Sequence, residues 1–258
     1  MRIPDNSRRS PLLGAALAGA GALAAGWALD AMRREERARI IHRTLVDLLL
    51  NALTADDPVT ARHSRRVADL SFALAQARHM PRRDLATLRV GALLHDMGKI
   101  DDRFFHIIHS RKPLTPEQRA AIRFHPHQSA NILRPLEKFH PGLSAIVSSH
   151  HECWDGSGYP RGLAEETIPL GARIIAVADA YDAMTQPRRY RDPMSVEEAL
   201  DKLDEGAGRQ FDPELVRLAE SPNVLPRWTE IATEGLRDEL EARRSDPAIP
   251  TEAEATLA

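Results

Sequence analysis

VGALLHDMGK, from Val90 to Lys99, sets an apolar run against a His-Asp pair and closes on a lysine. The run from Val90 to Leu94 is the end of a helix predicted over Asp84 to His95, and Gly98 follows as a stop signal. His95 and Asp96 therefore stand where a buried helix ends, with Lys99 just beyond them. A His-Asp pair alone reads as an ordinary helix-end pair, so its meaning depends on what the rest of the chain supplies.

Outward from that pair, apolar periodicity predicts helices over Arg33–Ala55 and Thr60–Ala77, with Asp57-Pro58 breaking between them. Thr115-Pro116-Glu117-Gln118 is a capping box with proline at the first helical position, and Pro126 interrupts that helix just after His125. Further helices are expected over Leu143–His151, Ala172–Met184, Ser195–Asp204, Pro213–Glu220 and, as an accessory element, Trp228–Arg244. No segment alternates convincingly with period two. With aromatic content at 5% and abundant alanine and arginine, the expected fold class is all-α, a helical bundle preceded by an N-terminal hydrophobic helix.

The 258 residues suffice for one large domain or two small ones. A net charge of −2 supplies no basic field, so no nucleic-acid polymer is expected as a partner. The single cysteine, Cys153, excludes an internal disulfide and a Cys-based zinc site, and nothing beside it would activate the thiol. Trp154 next to it reads as a packing anchor.

Leu12 to Leu29 is uncharged, with arginines on both sides. Its length is at the lower limit for a membrane span, and Ala18, Ala22 and Gly26 give a small-xxx-small spacing. Three readings stand: an uncleaved anchor, an export signal of the twin-arginine kind suggested by SRRSPLL, and an Ala-rich core helix. The anchor is preferred, with the following domain in the cytoplasm of an inner-membrane, single-pass protein.

Other candidate ligands are scattered along the chain. His63 lies in a helix whose apolar side faces a core, and His125 falls at the proline-broken helix. His150 and His151 open the stretch HHECWDGSGYPRG, and Asp179 sits inside the apolar run RIIAVADA. A buried carboxylate at Asp179 would cost several kcal/mol unless it met a cation. Asp182 follows one turn later on the same face. Imidazole and carboxylate donors suit iron or manganese, admit zinc and disfavour calcium.

The series His63, His95-Asp96, Lys99, His125, His150-His151, DGSGYP at 155–160 and Asp179 resembles the HD-GYP family of metal-dependent phosphohydrolases. The likeness runs over roughly Thr44 to Glu220 and includes LLHDMGK, SGYPRGL, IPLGARIIAVADAYDAMT and RRYR. It implies two metal ions: one held by His63, His95, Asp96 and Asp179, the other by Asp96 again with His125, His150 and His151. A hydroxide bridging them would attack phosphorus, Lys99 would stabilise the developing charge, and Asp182 would orient Lys99. A third ion in some members uses a glutamate where this chain has Val59, so two ions are expected. Arg188 and Arg191 match phosphate-contacting positions, with Tyr190 beside them (Arg189 is a weaker candidate) and Tyr159 as a further contact.

The function implied is hydrolysis of cyclic di-GMP to pGpG and onward to GMP. The alternatives are a catalytically weak membrane-tethered nucleotide receptor or interaction module, and an HD phosphohydrolase on another nucleotide. Expected partners are cyclic di-GMP, the membrane through Leu12–Leu29, a protein at the Gly158–Pro160 loop, and a second copy in a homodimer. The domain boundaries that follow are 1–32 for the anchor or signal, 33–224 for the catalytic domain, 225–244 for the accessory helix and 245–258 for a disordered tail.

Overall fold

The computed structural model describes residues 11–100, 107, 115–187 and 192–245, with most side chains of 11–28 outside that description. Among the described residues every regular element is helical. Two compact units divide at Leu48, residues 1–48 and 49–258. Helix α1 runs unbroken over Pro11–Asp56, where a separate hydrophobic segment and a later helix were expected. Nothing in RREERAR interrupts a helix, and Asp30 pairs with Arg34 one turn on at 2.7 Å. In the first unit α1 exposes Trp27, Leu29, Met32, Ile40, Ile41, Leu45 and Leu48. No helix among the described residues is long and apolar enough to cross a membrane, and the expected anchor falls where most side chains are not described. The tail expected to be disordered lies, from residue 246 on, outside the described residues.

In the second unit α2 (Pro58–Ala77) begins at the Asp57-Pro58 break, because Asp57 Oδ1 accepts from the Val59 and Thr60 amides at 3.0 and 3.1 Å. Helix α3 (Arg82–Leu94) ends at His95, and Met97–Ile100 forms a 3₁₀ turn. Helix α4 (Pro116–Ile122) starts at the expected capping box. Pro126 does not simply interrupt: it stands in the first turn of a new helix, α5 (His125–Leu133), where its missing N–H has no partner to lose. Helices α6 (Leu143–Ser148), α7 (Leu170–Thr185), α8 (Val196–Gly206) and α9 (Pro213–Ala219) follow.

The last helix, α10 (Leu225–Ser245), expected as an accessory element, packs into the core. Its Trp228 is fully buried, packs against Tyr181 with ring centroids 4.6 Å apart, and donates its indole N–H to the Leu70 carbonyl at 3.1 Å. A wide ring with a satisfied polar edge belongs to a core. The core thus joins Val67, Leu70 and Leu74 of α2, Leu88 of α3, Ile174 and Tyr181 of α7, and Trp228. Gly98 brings the turn after α3 onto α5: a Cβ there would stand 2.5 Å from the His125 carbonyl and 2.7 Å from the Ser129 amide. The Gly98 amide donates to Ser129 Oγ at 2.8 Å. That contact sets His95-Asp96 beside His125.

Candidate metal centre

Three of the histidines are built the same way. His95 follows α3, His125 opens α5, and His150 follows α6. Each Nδ1–H donates to the carbonyl three residues earlier: Ala92 at 2.8 Å, Ile122 at 2.7 Å and Val147 at 2.6 Å. A carbonyl only accepts, so Nδ1 carries the proton and each Nε2 keeps its lone pair. At His63 a carboxylate takes the place of the carbonyl: Nδ1 donates to Asp182 Oδ2 at 2.7 Å, which turns Nε2 toward the cluster.

The lone pairs converge. His125 Nε2 lies 3.3 Å from His150 Nε2, His63 Nε2 lies 3.1 Å from Asp179 Oδ1, and His125 Nε2 lies 3.2 Å from Asp96 Oδ1. His125, His150 and His151 form one group of donor atoms within 4.8 Å of one another, and His63, His95 and Asp179 another. His95, Asp96 and His150 make a third that joins them. All seven candidate ligands are therefore brought together. His95 Nε2 and Asp96 Oδ1 are buried without a hydrogen-bond partner. Two imidazole lone pairs facing each other beside a bare carboxylate oxygen are a costly arrangement alone, and a divalent cation satisfies all of them. These residues fit a metal.

Electrostatics point the same way. Burial holds His95 and His150 below the usual imidazole value and brings His151 down to about 3. Burial would raise Asp179, but the His63 hydrogen bond keeps it far below the carboxylate range. Burial likewise opposes ionisation of Asp96, and the His95 ring and Lys99 ammonium overcome it. Lys99 Nζ sits 2.6 Å from Asp96 Oδ2 with about a quarter of its side chain exposed, at the rim of the cluster.

Asp182, expected to orient Lys99, makes its hydrogen bonds to α2. It accepts from His63 and, through both oxygens, from the Arg66 guanidinium at 2.6 and 3.1 Å. Both of these partners stand on α2, and Asp182 meets His63 at its Nδ1 side. Arg66 is a residue that sequence reasoning missed; its only signal was its place one turn beyond His63.

The loop after His151 is also pinned. Glu152 is buried, and its two oxygens accept from the Arg161 and Leu163 amides at 2.8 and 3.0 Å. Gly158 packs on the backbone of Glu152 and Cys153, where a Cβ could not fit. Tyr159 stacks on His151 with centroids 4.9 Å apart, and the Arg123 guanidinium lies over the Tyr159 ring, 4.9 Å from its centroid. Glu152 was legible only as an acid beside two ligands, with no sign of its partners. Trp154 packs under the Arg173 guanidinium at 5.6 Å, and burial raises the Cys153 thiol, which keeps it inert. Val59 is exposed and adds no ligand. Arg188, Arg189, Tyr190 and Arg191 lie outside the described residues.

The HD domain family model matches residues 47–215. Over 174 residues the chain is 39% identical to a cyclic di-GMP phosphodiesterase of Thermotoga maritima, covering 65% of this chain and 46% of that protein. Over 191 residues it is 34% identical to the 3′3′-cGAMP-specific phosphodiesterase 2 of Vibrio cholerae, covering 73% and 35%. The chain thus spans less than half the length of these relatives. Its fold resembles the crystal structure of a cyclic GMP-AMP specific phosphodiesterase of V. cholerae, with TM-score 0.55, 21% identity, and 74% and 53% of the two chains covered. With the domain matched over most of its length and every ligand of the motif series in one cluster, the chain belongs to the HD domain family, in its HD-GYP branch.

Proposed function

We propose that this chain is a metal-dependent phosphodiesterase that opens a cyclic dinucleotide at a 3′–5′ phosphodiester bond. The observation that carries the reading is the merged cluster of five imidazoles and two carboxylates with His95 Nε2 and Asp96 Oδ1 left bare. Two divalent ions, iron or manganese, are the proposed occupants. One would be held by His63, His95, Asp96 and Asp179, the other by Asp96, His125, His150 and His151. Asp96 supports the pair because its oxygens face different ways: Oδ1 toward His125, and Oδ2 toward His95 at 3.4 Å and His63 at 3.9 Å. When bound, such ions acidify water and polarise a phosphoryl oxygen.

The protein's own groups then do the positioning. The backbone carbonyls behind His95, His125 and His150 fix their rings. Lys99, half-free at the rim, can leave Asp96 Oδ2 to meet charge developing on a phosphate. Cyclic di-GMP is the preferred substrate and pGpG the first product, with Arg188 and Arg191 as phosphate contacts and Tyr190 beside them. Leu12–Leu29 is proposed as a membrane tether with the domain on the cytoplasmic side; a C-terminal reporter active only outside the cytoplasm would overturn it.

The test is to load the purified chain with Mn²⁺ or Fe²⁺, add cyclic di-GMP or 3′3′-cGAMP in parallel, and follow linear products by chromatography. A linear dinucleotide from one of them is expected. Tight nucleotide binding without product from metal-loaded protein would replace this reading with that of a receptor.

A further inference from the structure

Beyond residue 215 the HD match ends, yet α10 reaches back to the ligands. Glu239, nearly fully buried, takes Arg62 through two hydrogen bonds of 3.0 and 2.8 Å and Arg66 through a third of 3.1 Å. Arg66 in turn grips Asp182 with both arms of its fork, and Asp182 accepts from His63 Nδ1. His63 Nε2 then faces Asp179. One turn before Glu239, Gly235 gives the Arg66 stem room, since a Cβ there would stand 2.5 Å from Arg66 Cδ. Gln186 ties the end of α7 to the same face by donating to the Ala232 carbonyl at 3.0 Å. Ala232, Gly235 and Glu239 lie on one stripe of α10, so the helix offers a backbone acceptor, a groove and a carboxylate to one spot.

The geometry points to Glu239 and Arg66 as positioning residues for the metal centre, through which α10 holds the His63 ring at the angle ligation needs. Arg66 requires this support. Three fork contacts go to two carboxylates, and without Glu239 one buried guanidinium arm loses its carboxylate. Bidentate pairing fixes a plane as well as a distance, so a shift of Arg66 turns Asp182 and with it His63. Arg62 takes both oxygens of Glu239 and so fixes the carboxylate plane, with Oε1 shared between Arg62 and Arg66.

The inference rests on the proposed metal reading and is tested on the full chain by Mn²⁺ affinity, measured calorimetrically, and by the EPR spectrum of bound Mn²⁺. Arg66→Gln should weaken Mn²⁺ binding by about 10–100-fold, the range for loss of an outer partner of a ligating histidine. Glu239→Gln should weaken it by about tenfold, alter the spectrum, and add nothing further in the Arg66→Gln background. Gly235→Ala favours the helix yet crowds Arg66, so it should weaken Mn²⁺ binding while the urea midpoint holds or rises, and it serves if Glu239→Gln does not fold. Ile231→Val trims the core on α10 away from Glu239 and should leave Mn²⁺ affinity unchanged. Wild-type affinity in both Glu239→Gln and Gly235→Ala, or an equal loss in Ile231→Val, overturns the inference. Absence of Mn²⁺ binding by the wild-type chain instead overturns the metal reading itself.

Discussion

His63 is flanked by two carboxylates, Asp179 on Nε2 and Asp182 on Nδ1, at 3.1 and 2.7 Å. Burial disfavours its charged form, but the two hydrogen bonds prevail and lift its pKa to about 9. Without metal the ring is therefore an imidazolium at pH 7, whereas burial keeps His95, His150 and His151 neutral. Ligation at His63 Nε2 must displace that proton. Mn²⁺ affinity should rise by about tenfold per pH unit from pH 7 and level off near pH 9, with about one proton released per chain at pH 7. Calorimetry in two buffers of different ionisation enthalpy counts that proton, and a count of zero would refute the assignment. The stability sign follows from the raised folded value. In the metal-free chain the His63 contribution is fully present below the unfolded imidazole value, about 6.5, and is lost as pH rises through about 9. Lys99 allows a second separation. Its Nζ touches Asp96 but supplies no ligand atom, so Lys99→Ala should keep bound metal, measured by elemental analysis, and lower kcat by about 10²-fold.

One buried side chain, Glu152, pins the far end of the loop from Glu152 to Leu163. Glu152 gives an acceptor to each of two amides, and the Arg161 guanidinium adds a bond to Ser149 Oγ at 2.7 Å. Glu152→Gln keeps the size but turns one acceptor into a donor facing an N–H. It should cost about 1–3 kcal/mol and speed amide exchange at Arg161 and Leu163, with metal content retained. Unchanged exchange would mean that Gly158 packing alone holds the loop. Features of this kind divide what one sequence reveals from what it hides. The Thr115 and Ser195 capping boxes and the Asp57-Pro58 break were legible because their partners lie within four residues. The candidate ligands, far apart in sequence, were legible as one set only through the family resemblance, and the fold brings them together. Asp182 was expected beside Lys99, while its hydrogen-bond partners sit on α2 across the fold. The role of α10 was hidden for the same reason: a helix over Trp228–Arg244 was expected, but not which elements it covers.

At the scale of the molecule, the candidate metal centre lies where α2, α3, α5, α6 and α7 meet, and α10 closes the core behind α2 and α7. Two different devices on α10 do this. Trp228 supplies apolar area at one end, and Glu239 supplies charge pairing nearer the other. The two should separate under mutation because they sit several turns apart along the helix. Trp228→Ala removes a fully buried indole and leaves a cavity against Leu70 and Tyr181, which should cost about 3–5 kcal/mol in urea denaturation. Trp228→Phe keeps most of the ring and loses only the bond to the Leu70 carbonyl, about 1 kcal/mol. Below their transitions both variants should bind Mn²⁺ as the wild type does, since neither touches Arg62, Arg66 or Glu239. A loss in Trp228→Ala of under about 1 kcal/mol would show that α10 is peripheral to the core. A full loss with metal affinity intact would show the helix doing two separable things, one for the fold and one for His63.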